Sequence, residues 1–144
     1  MNEVRPRLSS EVLKRGYSDD EVKAIYALAR FCIENGDLNR AALLVQGLKE
    51  VSPEFGPLWL MQAYIDMLSG SYESATAAAS QALKIWPESV EAELFLAASA
   101  LATGDYNSAG TFLGEVREKV ESGQIDDPNI VRFYRTQLVR FQSR

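Results

Sequence analysis

The sequence predicts an all-α fold: three successive helix hairpins in a right-handed superhelical array, closed by a C-terminal helix. Glycines fall at positions 36, 70 and 104, a constant step of 34 residues, and a fixed period of that length is the signature of stacked helical repeats. The same step links Ala41, Ala75 and Ala109, then Leu38, Tyr72 and Tyr106, and also Pro53 and Pro87. Beyond the third unit, Ile130, Phe133, Tyr134, Leu138 and Phe141 recur at helical spacing on one apolar stripe, the cover that the last open face of a stack requires.

Taken in order, residues 1–17 form an N-terminal segment in which Leu8, Val12 and Leu13, with Ser9 or Ser10 as cap and Gly16 as stop, predict a short helix. Ser18-Asp19-Asp20-Glu21 then reads as a capping box, with Tyr17 and Val22 placed as a hydrophobic staple, so the first repeat helix begins near Asp19. Residues 18–123 hold the three repeats, in the units 22–55, 56–89 and 90–123. The eighth place of each unit is small: Ala29, Ala63 and Ala97. Together with the Ala41, Ala75, Ala109 column this lets the two helices of a hairpin approach closely. Each glycine ends a first helix, where a left-handed backbone is needed, and proline stops the second helix. The third proline place holds Glu121, and Ser122-Gly123-Gln124 opens a loop. Residues 124–144 are that loop and a capping helix, with Asp127 as cap and Pro128 at the first helical position.

Composition narrows the chemistry. Apolar residues make up 47% and charged residues 24% of the 144, which excludes a disordered or collagen-like chain. With 20 acids against 15 bases, net −5, the chain is a poor ligand for nucleic acid or anionic membrane. Arg132, Arg135, Arg140 and Arg144 lie among the apolar stripe of the tail and read as the solvated face of a capping helix. Histidine is absent, and with it the commonest general base and metal ligand. Cys32 sits in an apolar run with no basic neighbour, so it reads as a buried thiol. The acids Asp19, Asp20 and Glu21 complement the helix dipole instead of marking a metal site. No catalytic residues, no metal and no cofactor are expected, and the chain is not expected to be an enzyme. The N-terminus lacks the apolar core of a signal peptide and no run approaches a membrane span, so a cytoplasmic location without membrane insertion is expected.

These columns of leucine or aromatic, small, glycine, aromatic, alanine and proline residues resemble three tetratricopeptide (TPR) repeats. In such stacks the first helices line a concave side. At the fifth, ninth and twelfth places the residues facing that side are Tyr26, Arg30 and Ile33, then Leu60, Tyr64 and Met67, then Leu94, Ala98 and Leu101. All but Arg30 are apolar or aromatic. In the middle helix Gln62 and Asp66 occupy places that are usually apolar, so its groove side is greasier than its core side. A helix apolar on nearly every face should be covered on both sides, either because the groove is partly self-filled or because it holds an apolar ligand segment. TPR domains that grip chaperone carboxylate ends use Lys, Asn or Arg at places held here by Tyr26, Arg30, Met61, Glu91 and Phe95. Only Arg30 fits, which argues against a carboxylate clamp and for an amphipathic or extended apolar segment.

Small, acidic three-repeat TPR proteins resemble the cytoplasmic chaperones of bacterial type III secretion systems. The translocator chaperones are similar through Ile25-Tyr26-Ala27-Leu28-Ala29 leading to Gly36 and Ala41; the needle-subunit chaperones through Gly70-Ser71-Tyr72-Glu73-Ser74-Ala75 and the tail Asp127-Pro128-Asn129-Ile130 to Phe133. The tail motif favours the needle kind. This resemblance implies an apolar groove that holds the C-terminal helix of a needle subunit, or a translocator subunit in the other kind, alongside a small helical co-chaperone. A generic TPR scaffold in another bacterial assembly is the alternative.

Overall fold

A computed structural model describes residues 16–144, so the short helix expected around Leu8, Val12 and Leu13 lies outside the described residues. Among the described residues the fold is all α, with seven helices and no strand: α1 Asp19–Glu34, α2 Leu38–Val51, α3 Gly56–Leu68, α4 Tyr72–Ile85, α5 Val90–Thr103, α6 Tyr106–Glu121 and α7 Pro128–Gln142.

Local chemistry repeats with the sequence. Gly36, Gly70 and Gly104 all adopt a left-handed backbone, with φ of 80°, 76° and 84°. A side chain at any of them would meet no neighbouring atom, so it is the backbone angle that calls for glycine there. The residue after each glycine donates its N–H five residues back, Asp37 to Cys32, Ser71 to Asp66 and Asp105 to Ala100, each at 2.8 Å. This closes the first helix of every hairpin in the same Schellman turn. Asp37 and Asp105 then cap the second helices, accepting the Arg40 and Ser108 N–H groups.

The start and the end of the array follow the same rules. Ser18 Oγ accepts the Glu21 N–H at 3.2 Å while the Ser18 N–H donates to Glu21 Oε1 at 2.8 Å, completing the capping box. Asp127 accepts the Asn129 N–H at 2.9 Å, with Pro128 opening α7. Where proline follows, α2 and α4 stop after 14 residues; with Glu121 in that place, α6 runs to 16.

The chain divides into two units, residues 1–58 and 59–144, with the division inside α3. In the first, α1 pairs with α2, and Ala29, Ala41, Val45 and Leu48 are fully buried. Cys32 is buried and free. In the second, α5 is central: it packs against α4, α6 and α7, and every residue from Ala92 to Ala100 is buried. One cluster joins Val90, Leu94 and Ala97 of α5 to Leu113 and Val116 of α6 and Tyr134 of α7, with Ile130, Phe133, Leu138 and Phe141 packed on it. A second joins Ala63 of α3, Ala78 and Ala79 of α4, and Phe95 and Leu96 of α5. Arg132, Arg135 and Arg140 of α7 are exposed, whereas Arg144 folds back, its guanidinium 4.1 Å from the Phe141 ring centroid and 5.4 Å from that of Tyr106.

Two stability experiments follow from this packing. Ala75 is fully buried and Ala77, two residues on, is exposed, so Ala75→Leu is expected to cost about 1–3 kcal/mol by overpacking in denaturant titration, and Ala77→Leu close to nothing. Deleting residues 126–144 uncovers Leu94 and Val116 and is expected to abolish the cooperative thermal transition of the second unit; an unchanged melt would show that α7 is not part of its core.

Candidate functional site

The side chains expected to line the concave side divide by burial. On α3, Leu60, Tyr64 and Met67 stand one and two turns apart on one face. Leu60 and Met67 are half-buried against the Phe95 cluster, and Tyr64 remains 42% exposed. The Tyr64 ring meets Phe95 edge-on at 6.5 Å between centroids, and Phe95 meets Phe133 of α7 at 5.1 Å, also edge-on. Ser99, buried in α5, donates its hydroxyl to Met67 Sδ at 3.4 Å, which fixes that side chain. Leu101 is half-buried near the end of α5.

Leu94 and Ala98 are corrected. They are 0% and 2% exposed, and Leu94 packs with Leu113, Val116 and Tyr134, so both belong to the core and present no binding surface. For Leu94 the physical reason is α7, which lays Tyr134 and Phe133 over α5 where an open groove was expected. Over the third repeat the trough is filled by the chain itself. Of the six expected groove residues in this unit, Tyr64 is the one that stays exposed.

In the first unit Tyr26 and Ile33 are half-buried and Arg30 is exposed. Tyr26 packs edge-on against Phe55 at 5.4 Å, and Arg30 donates to the Tyr26 hydroxyl at 3.1 Å with its guanidinium carbon 5.2 Å from the ring. That engagement leaves Arg30 poorly placed as a free anion ligand. Of the other carboxylate-clamp places, Met61 and Phe95 are buried. Leu28 and Phe31 on α1, 49% and 59% exposed, form an outward apolar pair that the column analysis did not single out. Gln62 and Asp66, out of pattern in the sequence, satisfy each other: Gln62 Nε2 donates to Asp66 Oδ1 at 2.9 Å.

A second feature was not anticipated. Glu93 of α5 is only 6% exposed, and its Oε1 has no hydrogen-bond partner. The Lys119 ammonium stands 3.7 Å from that oxygen and 4.0 Å from Glu88. Burial, reinforced by hydrogen bonding with Glu115, raises the Glu93 carboxyl to about 7 against the opposing pull of Lys119. The group lines a recess of about 800 Å³ together with Gly114, Glu115, Glu118 and Lys119 of α6 and Gln124 of the following loop. The signal was present in the columns: Glu93, Glu115 and Lys119 take places held by Ile25 and Trp59, by Gly47 and Gln81, and by Val51 and Ile85 in the first two repeats.

A tetratricopeptide repeat family model matches residues 66–125, from the end of α3 through α6. No curated protein matches the chain. Among the described residues no helix is long and apolar enough to cross a membrane.

Because the raised Glu93 carboxyl stays protonated in the folded chain after it ionises in the unfolded one, its contribution to stability is full below about pH 4.5 and is lost as pH rises through about 7. Urea titrations across this range are expected to show that decline in the wild type, and Glu93→Gln is expected to flatten it.

Proposed function

We propose that this chain is a protein-binding module whose Tyr64-centred apolar surface holds a helical or extended segment of a partner, and that the partner is an aggregation-prone secreted subunit. In this reading the protein is a cytoplasmic type III secretion chaperone, of the needle-subunit kind in preference to the translocator kind, that keeps its subunit soluble and unassembled before export. A small helical co-chaperone belongs to the same assembly.

The observation that carries the binding reading is Tyr64, a large aromatic 42% exposed at the end of the edge-to-face run with Phe95 and Phe133. Partly apolar rings with a polar tip are the side chains that anchor protein interfaces, and Leu60 and Met67 extend the surface one turn to either side. A TPR array is a protein-interaction fold, and the repeat match over residues 66–125 supports that general role. The secretion assignment is supported by the tail sequence Asp127-Pro128-Asn129-Ile130 to Phe133, which here builds the cap of α7 and delivers Phe133 onto Phe95. Tyr26 and Ile33 provide an apolar surface on the first unit, and the same chemistry suits it to a partner. A generic scaffold would share the Tyr64 surface and differ only in the partner it takes.

Co-expression with a needle subunit separates these. The wild type is expected to co-purify with the subunit, with little dependence on salt because apolar burial holds the complex. Tyr64→Glu is expected to abolish co-purification while melting near the wild type, since the new carboxylate is solvated when free and must be desolvated without a partner when bound. Leu94→Glu is expected to unfold the second unit instead. Retention of the subunit by Tyr64→Glu overturns the binding surface; failure of the wild type to hold a needle subunit overturns the secretion reading.

A further inference from the structure

The Glu93 recess shares no residue with the Tyr64 surface, and it bears an unsatisfied acceptor. Glu93, Glu115 and Glu118 set three carboxylates against the single ammonium of Lys119. Lys119 is itself divided between Glu93 and Glu88, at 3.7 and 4.0 Å, and stands too far from Oε1 of Glu93 to hydrogen-bond it. A buried acceptor left unbonded is a cost that folding does not otherwise recover. The recess remains open at Gly114, where a side chain would meet nothing within 4 Å.

We propose that this recess is a binding site for an arginine side chain presented by a partner polypeptide. Charge complementarity chooses a cation. Among the described residues no three His, Cys, Asp or Glu side chains are grouped closely enough to hold a metal ion. Between the two basic side chains, guanidinium is the more weakly hydrated and carries five donors in a planar fork, so it can satisfy Glu93 Oε1 and the neighbouring Glu115 together. Gly114 keeps the approach clear for the three-carbon stem. Binding of the cation favours ionised Glu93, so its affinity is linked to pH. The charged groups facing Glu93 are Glu115, Glu118 and Lys119 of α6 and, through Lys119, Glu88 of the turn before α5.

The test uses the full chain and follows the amide signals of Gly110 and Gly114 by nuclear magnetic resonance during titration with N-acetyl-arginine methylamide. Its citrulline counterpart, the same shape without charge, and its lysine counterpart serve as comparisons. The arginine compound is expected to bind at least about fivefold more tightly than either, and more tightly near pH 8 than near pH 6. Glu93→Gln is expected to remove both the preference and the pH dependence. Gly114→Leu is expected to fill the recess and abolish binding while melting no lower than the wild type, because leucine is the better helix former and the space is open. Equal binding of citrulline, or saturable binding that survives both substitutions, overturns the proposal, as does the absence of saturable binding in the wild type; equal or tighter binding of the lysine compound overturns the choice of guanidinium. Tyr64→Glu is expected to leave the titration unchanged, so the two sites fail independently.

Discussion

Six alanines set the geometry on which the rest depends. Ala29 and Ala41, Ala63 and Ala75, Ala97 and Ala109 are all fully buried, two to a hairpin. A single methyl at each place lets paired helices approach closely, and the glycine turn that joins them needs only one residue in the left-handed region. Larger side chains stand around this contact and inherit its spacing. Val45 and Leu48 close the first hairpin, while Leu113 and Val116 of α6 reach α5 in the third.

The third repeat differs from the second in what covers its first helix. α5 is buried from Ala92 to Ala100 because α4, α6 and α7 all pack on it. A helix surrounded in this way has no broad apolar face left for a partner, whatever column its residues occupy in the repeat. α3 is different: Tyr64 and Leu68 are 42% and 52% exposed. The apolar first helices of these two repeats thus meet two outcomes. For α5 the chain supplies its own cover, Phe133 and Tyr134 of α7, and for α3 an apolar surface persists at Tyr64.

The features legible in the sequence are those fixed by neighbours along the chain. The glycine turns, the Ser18–Glu21 box, the Asp127-Pro128 start and the two extra residues of α6 at the missing proline all depend on a few consecutive residues, and each appears where its chemistry places it. Leu94 and Ala98 were misread because a place in the repeat specifies direction relative to the hairpin, while burial depends on what a distant segment does. The stripe on α7 announced that something would be covered, but not which places of α5. Glu93 was missed for a different reason: columns were read for what they share, and this residue matters because it departs from Ile25 and Trp59.

The departure has an energetic meaning. Apolar residues in these three places, as two of them are in the first repeat with Ile25 and Val51, would bury area without desolvating charge, and replacing a buried ionic group by a packed apolar one is often neutral or stabilising. Glu93 instead carries a carboxyl pushed up to about 7 with Glu115 adding to the effect, and Lys119 stands too far for a hydrogen bond. Folding alone gains little from such an arrangement. An incoming cation would change the balance, because it supplies donors to the unbonded oxygen and offsets the repulsion between the carboxylates in the same step. The cost carried by the empty recess is then the differential interaction that makes a cation bind there, in the one repeat where α7 has already closed the apolar route to a partner.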